Sequence, residues 1–226
     1  MKLVAVSQRM DFLQDREETR DSLDQSLSRF IIDSGNIPIP VPNGLAKKDE
    51  NSGLIAWLKE VAPQAILLSG GNDLGEFVLR DITESSLIKY AEENSFPLLG
   101  ICRGLQMIAQ YYGAALKKVD GHVRTKHSLA GEVSWTVNSF HNLSISQCPN
   151  NFEVFARSED GEIEGIKHKK LSWEGYVNFG QQPFRYAAPA GYSAICTENL
   201  PDTFGANSNA NEDKNNPSKY FGVLTY

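Results

Sequence analysis

One cysteine in this sequence is framed for nucleophilic chemistry. The stretch Pro97-Leu98-Leu99-Gly100-Ile101-Cys102-Arg103-Gly104-Leu105-Gln106 sets Cys102 between Gly100 and Gly104. The apolar residues before the cysteine suit a buried strand, and Leu105 to Tyr112 has helical spacing and stops at Gly113. A strand that turns sharply into a helix projects its corner residue outward, and flanking glycines permit the crowded backbone. The first amides and the positive end of the helix dipole then face the sulfur, which favours thiolate. This is the nucleophile-elbow arrangement with sulfur in place of a hydroxyl. A lone cysteine is more often a small inert core residue. The glycine frame and the strand–helix context favour the chemical role here. Attack on a carbonyl also needs donors for the developing oxyanion. The Arg103 amide follows the nucleophile, and Ser69-Gly70-Gly71-Asn72-Asp73 is a glycine-rich loop after another apolar run.

The elements that must position these groups alternate between strand and helix. Leu3–Val6, Ile37–Pro42, Ala65–Leu68 and Pro97–Ile101 read as strands. Residues 17–33, 54–61, 85–94 and 105–112 read as helices, the first with Leu23, Leu27, Phe30 and Ile31 on one face. That alternation implies a parallel α/β sheet, and its ligands belong at the carboxyl ends of the strands. From Val119 to about Leu171 short strands at 132–137, 152–156 and 163–166 imply a β-rich flank. After about Trp173 the chain becomes poor in charge and rich in Asn and Pro, so a boundary is expected between a domain of residues 1–175 and an atypical tail of residues 176–226.

At these residues the chain resembles the class I glutamine amidotransferases, in their γ-glutamyl hydrolase branch. The resemblance rests on Ser69-Gly70-Gly71, on Gly100 to Gln106 and on Val137-Asn138-Ser139-Phe140-His141. Ser7-Gln8-Arg9, the 69–73 loop and Asp120-Gly121-His122-Val123-Arg124 look most like bacterial γ-glutamyl-CDP-amidate hydrolases of capsule-sugar modification. The family implies a flavodoxin-like sheet sandwiched by helices, and cleavage of a γ-glutamyl amide through a thioester on Cys102. It implies Gly71 and Arg103 as oxyanion amides. It also implies Gly70, Gln106, Ser139 and Phe140 around the glutamyl end, His141 at the pocket edge and Arg124 toward a substrate phosphate. Otherwise His122 and His127 read as part of a solvated basic loop, His141 as a strand-turn histidine, and His168 as exposed charge.

The family also implies a His-Pro-Glu after the strand that follows Ile163–Ile166, with the histidine as general base. Here the chain reads Tyr176-Val177-Asn178-Phe179-Gly180-Gln181-Gln182-Pro183, and no histidine follows His168. The segment from Asn178 to Pro201 resembles instead the end of a SPRY-type β-sandwich. Impaired hydrolysis is therefore expected. The alternatives are a catalytically dead γ-glutamyl-binding module and a recognition protein acting through its tail.

Composition narrows the partners. With 226 residues, 41% hydrophobic and 22% charged, the chain can bury a sizeable core. A net charge of −6 and no long Lys/Arg block argue against nucleic acid. No apolar run reaches the length of about 20 residues that a membrane helix needs, and the apolar start is too short for a secretory core. Three cysteines without an export signal suit a reducing cytoplasm. No Cys/His spacing matches a zinc motif. The expectation is a cytoplasmic chain with no metal or cofactor, a small-molecule γ-glutamyl substrate, no membrane partner, and a homodimer as the candidate assembly.

Overall fold

The computed structural model describes residues 1–47, 52–132, 134, 136–170 and the backbone of 173–176. Among them a nine-stranded sheet carries the architecture. Its parallel half runs, in spatial order, β4 (Ile37–Val41), β1 (Leu3–Ser7), β5 (Ala65–Leu68), β6 (Leu98–Ile101) and β13 (Trp173–Tyr176). From β13 the sheet continues antiparallel through β12 (Ile163–His168), β11 (Phe152–Ser158), β8 (Val123–Gly131) and β9 (Thr136–Phe140). Two small antiparallel pairs stand outside it: β2 (Arg9–Leu13) with β3 (Glu18–Ser22), and β7 (Leu116–Lys118) with β10 (Leu143–Ile145).

The period of two along the central strands divides the core into two layers. Ala5, Ile66, Leu68 and Leu98 face one side, where they meet Leu54 and Leu58 of α2 (Ser52–Val61). The same layer takes Leu87, Ile88 and Ala91 of α3 (Val78–Asn94), and Leu105 and Ile108 of α4 (Arg103–Tyr111). Val4, Val6, Ala65, Leu67, Leu99 and Ile101 face the other side. They meet Leu27, Phe30 and Ile31 of α1 (Gln25–Asp33), together with Leu129, Val137 and Phe155 of the antiparallel flank. Burial on both faces explains why β5 and β6 read as unbroken apolar runs. β4 carries Pro38 and Pro40 and, among the described residues, lies at the sheet edge and pairs only with β1, so their missing amide protons cost no ladder bond to an outer strand there.

The expected α/β architecture holds, with four local corrections. Residues 17–24 are not helical. Glu18–Ser22 pairs with Arg9–Leu13 in an exposed hairpin, and α1 begins only at Gln25, capped by the Asp24 carboxylate on the Ser26 amide at 2.7 Å. Helix α3 starts at Val78, seven residues before Ser85, because its first turns bury charged residues that an apolar periodicity cannot register. His122 and the basic stretch after it are not a solvated loop. They lead into β8, and His122 is 1% exposed. His168 is half-buried, edge-on to Phe152 with ring centroids 4.9 Å apart. The expected SPRY-like tail and the boundary beyond Tyr176 lie outside the described residues.

Candidate active site

Cys102 occupies the corner between β6 and α4 with φ 52° and ψ −107°. That conformation is sparsely populated for an L-residue and costs on the order of 1–3 kcal/mol, so its surroundings must impose it. The two glycines of the frame show how. A Cβ on Gly100 would stand 2.7 Å from the Gly104 backbone and the Ile108 side chain. One on Gly104 would stand 2.8 Å from the Leu68 carbonyl carbon and Cβ, and closer still to the Leu68 oxygen. Neither glycine has a positive φ. Their role is close approach: they let α4 sit directly on β5 and β6, and the corner is forced where the helix begins.

The thiol itself departs from the sequence expectation. Burial pushes Cys102 up to about 11 from an ordinary 9.0, although the Arg103 amide at the helix start pulls it down. Glu164 and Asp73 raise it further, and Arg80 opposes them. Desolvation outweighs the helix terminus, so the resting sulfur is a thiol rather than a thiolate.

Beside Cys102, the pairing of Leu68 with Gly100 brings the Ser69–Asp73 loop and the cysteine corner to the same end of adjacent parallel strands. Arg80, which is 0% exposed, organises the loop from behind. Its guanidinium donates to the Ser69 carbonyl at 2.9 Å, to the Gly70 carbonyl at 2.9 Å and to the Gly71 carbonyl. It also donates to Ser69 Oγ at 3.1 Å and Asn72 Oδ1 at 2.9 Å, and pairs with Glu84 at 3.1 Å. A trans peptide directs its N–H opposite to its C=O. Holding three successive carbonyls toward Arg80 therefore turns the amides of Gly70, Gly71 and Asn72 to the other side. Gly71 and Asn72 both adopt positive φ to allow this.

Further contacts lock the same loop. The Ser69 amide donates to Ser7 Oγ at 2.9 Å, and that hydroxyl donates to Glu84 at 2.8 Å. Asn72 exchanges two hydrogen bonds with the Met10 backbone, at 2.9 and 3.0 Å. The Arg9 guanidinium lies over Gly71, 3.4 Å from where a Cβ would be. The Arg103 side chain, 2% exposed, turns away from the sulfur and pairs with Glu84 and Asp81. Buried Arg80, Glu84 and Arg103, with half-buried Asp81, thus form one ionic group that ties the loop to the helix carrying the nucleophile. The spacing Arg80-Asp81-x-x-Glu84 is an i,i+4 ion-pair signal the sequence does carry. Its burial is what the sequence does not show.

The remaining predicted residues gather on the antiparallel flank. Gln106 is buried and donates its side-chain amide to the Leu143 carbonyl at 2.9 Å. His141 Nδ1 approaches the same oxygen at 2.9 Å. Ser139 Oγ donates to the His122 carbonyl at 2.6 Å, and the His141 amide donates there at 3.0 Å. Arg124 and Phe140 sit on the exposed side in a cation–π contact of 5.9 Å. Four side chains missed by sequence reasoning cluster behind them. His122 Nδ1 lies 3.3 Å from His141 Nε2 and 3.4 Å from Glu164 Oε1, and His141 Nε2 lies 3.5 Å from that oxygen. His122 Nε2 meets Asp160 Oδ2 at 2.8 Å. Hydrogen bonds from His122 and Ser158 hold the Asp160 carboxyl well below the usual carboxylate range. His127, read as solvated, lies against His122 with ring centroids 4.0 Å apart, and burial lowers its imidazole below the ordinary value.

The glutamine amidotransferase class-I family model matches residues 21–176, which includes the cysteine corner, the loop and the antiparallel flank. The chain belongs to the class I glutamine amidotransferases. That family typically comprises cysteine-nucleophile C–N hydrolases and amidotransferases. A γ-glutamyl-CDP-amidate hydrolase of Campylobacter jejuni is 37% identical over 112 residues, covering 47% of this chain and 56% of that protein. Little more than half of that relative's length is therefore matched. A glutamine-hydrolysing GMP synthase component of Methanococcus aeolicus is 31% identical over 156 residues, with coverage of 65% and 73%. Among solved structures, a glutamine amidotransferase from Thermotoga maritima superposes with TM-score 0.56 at 18% identity, covering 78% of this chain and 75% of that one. At that identity the likeness speaks for the fold alone. Within the amidotransferase fold, β13 is the strand after which the general-base histidine is expected. It ends at Tyr176, paired with Ile101, one residue short of the level of Cys102. No histidine follows in the sequence.

Proposed function

We propose that this chain attacks γ-glutamyl amides through Cys102 and completes their hydrolysis slowly. The observation that carries the reading is the strained Cys102 corner set beside a loop whose amides are turned outward by Arg80. In the reaction the sulfur attacks the γ-carbonyl carbon, and the Gly71 and Arg103 amides hold the oxyanion. The C–N bond breaks, the thiol proton ends on the leaving amine, and a γ-glutamyl thioester remains. Water then attacks the thioester, releases glutamate and restores the thiol. Gln106, Gly70 and the Ser139–Phe140 backbone hold the glutamyl end, with His141 bounding the pocket and Arg124 facing a phosphate on the leaving group. The Campylobacter relative supports a nucleotide-linked γ-glutamyl amidate as substrate class.

No histidine follows β13 in the sequence to serve either step as base. The thiol is held near 11, and the position after β13 offers no imidazole. Losing a triad base costs several orders of magnitude while binding and oxyanion contributions survive. The same observation favours a second reading, a γ-glutamyl-binding module without turnover. Steady-state assay of glutamine and a γ-glutamyl anilide tests the two. Slow turnover abolished by Cys102→Ala supports hydrolysis, and binding without any turnover supports the module. Replacing residues 176–226 with a terminus that carries His-Pro-Glu should raise the rate by orders of magnitude. Ordinary enzyme rates in the unaltered chain would overturn the proposal.

A further inference from the structure

We propose that Arg9 selects among γ-glutamyl amides by binding a phosphate carried on the leaving amine. The proposal rests on the reading of Cys102 as the residue that takes the γ-glutamyl group. Arg9 opens β2, two residues beyond the end of β1. β1 stands beside β5, and β5 beside β6, all parallel. Arg9, the Ser69–Asp73 loop and Cys102 therefore leave three adjacent strands at one edge, the edge where such sheets bind ligands. The Arg9 side chain reaches across to the loop. Its Nη1, Cδ and Cζ lie 3.4, 3.6 and 3.6 Å from where a Cβ on Gly71 would be. A cation is thus set beside one of the two amides assigned to the oxyanion.

Its placement is fixed from several sides. Arg9 Nε donates to Asp11 Oδ1 at 3.0 Å, and Ser22, across the hairpin, donates its hydroxyl to the other Asp11 oxygen. Gln8 Nε2 donates to the Val41 carbonyl at 3.0 Å, and the Gln8 carbonyl accepts from Asn43 Nδ2 at 3.1 Å. Met10, on the other side, is held by Asn72 of the loop. With Nε engaged, the Nη1–Nη2 edge of the fork remains. Among the described residues neither nitrogen has a hydrogen-bond partner, and the side chain is 35% exposed. Two parallel donors on that edge match two phosphate oxygens. Asp11 already offsets part of the guanidinium charge, so a phosphate, which carries more charge than a carboxylate, is the anion the fork favours. Ser139, which holds the glutamyl end, belongs to β9 at the other end of the sheet order. The part of the substrate that meets Arg9 is therefore the part beyond the scissile amide.

Two amides that differ only in a phosphate are the probes: γ-glutamyl-ethanolamine and γ-glutamyl-phosphoethanolamine. Their dissociation constants are read by calorimetry on the full 226-residue chain carrying Cys102→Ala, which cannot turn them over. The phosphate should tighten binding about tenfold or more, and added salt should shrink that gain. Arg9→Gln should remove most of the gain, and Arg9→Lys should keep part of it, since an ammonium retains the charge but not the fork. Arg16→Gln, on the exposed turn of the same hairpin, should keep all of it. A merely structural role for Arg9 would weaken both amides alike and leave their ratio unmoved, which would overturn the proposal. So would a gain lost in Arg124→Gln and kept in Arg9→Gln, a tighter hold on γ-glutamyl-β-alanine than on the phosphate, or a neutral amide bound as tightly as the phosphorylated one. If neither amide binds and an activated γ-glutamyl ester leaves Cys102 unlabelled in the parent chain, the γ-glutamyl reading itself has failed and takes this proposal with it.

Discussion

Arg80→Met removes the donor on which the active-site loop is built. Six acceptors lose it: the carbonyls of Ser69, Gly70 and Gly71, Ser69 Oγ, Asn72 Oδ1 and Glu84 Oε1. Methionine keeps the bulk of the stem and supplies no proton. Glu84, 0% exposed, keeps Arg103 but loses half of its compensation. Breaking a buried pair from one side costs about 3–5 kcal/mol. For a chain of this size each kcal/mol moves Tm by about 2–4 °C, so the midpoint should fall by roughly 6–20 °C. Arg80→Lys keeps the charge, but its three donors cannot serve six acceptors, so it should fall between. Thermal unfolding followed by circular dichroism reads all three proteins. Adding Glu84→Gln to Arg80→Met should cost less than the sum of the single changes by at least about 1 kcal/mol, because the buried carboxylate is removed with its partner. An Arg80→Met protein within 1 kcal/mol of the parent, or strict additivity in the pair, would refute the reasoning.

Three further outcomes follow from the same geometry. Gly104→Ala should be severely destabilising, because the new methyl meets the Leu68 backbone with no flexible atom to yield, whereas Gly44→Ala, with open space around it, should be nearly neutral; urea titration of both checks this. Alkylation of Cys102 by iodoacetamide should rise about tenfold per pH unit above neutrality and level off only near pH 11, and a plateau below pH 9 would show a thiolate instead. Between 9.0 and about 11 the unfolded chain gives up this proton before the native one, so the Cys102 contribution to stability should be intact below pH 9 and lost through that window, as read by denaturant midpoints in Cys102→Ala against the parent.

How far the sequence reveals this molecule depends on what holds each part together. The Gly-x-Cys-x-Gly corner was legible because backbone crowding leaves glycine little alternative at residues 100 and 104. The buried central strands were legible from continuous apolar runs. The hairpin of residues 9–22 was not, because β3 holds no apolar residue and lies largely at the surface, so its polar run reads as the start of the helix that follows. The first turns of α3 were hidden for the opposite reason. Arg80 and Glu84 are buried by pairing, and a hydropathy pattern counts them as surface. The low thiol pKa expected of Cys102 failed on a quantity no motif encodes, the desolvation of the corner. His122, His141 and Glu164 are distant in sequence, and only the order of β8, β9, β11 and β12 brings them together.

The central claim is that Cys102 is the residue that takes the γ-glutamyl group. Intact-mass spectrometry of the full chain after incubation with an activated γ-glutamyl ester tests it most directly. The account predicts one γ-glutamyl group per chain, mapped by peptide digestion to Cys102, persisting because water attacks it slowly, and absent in Cys102→Ala. An unmodified chain, or a group carried by Cys148 or Cys196, would contradict it.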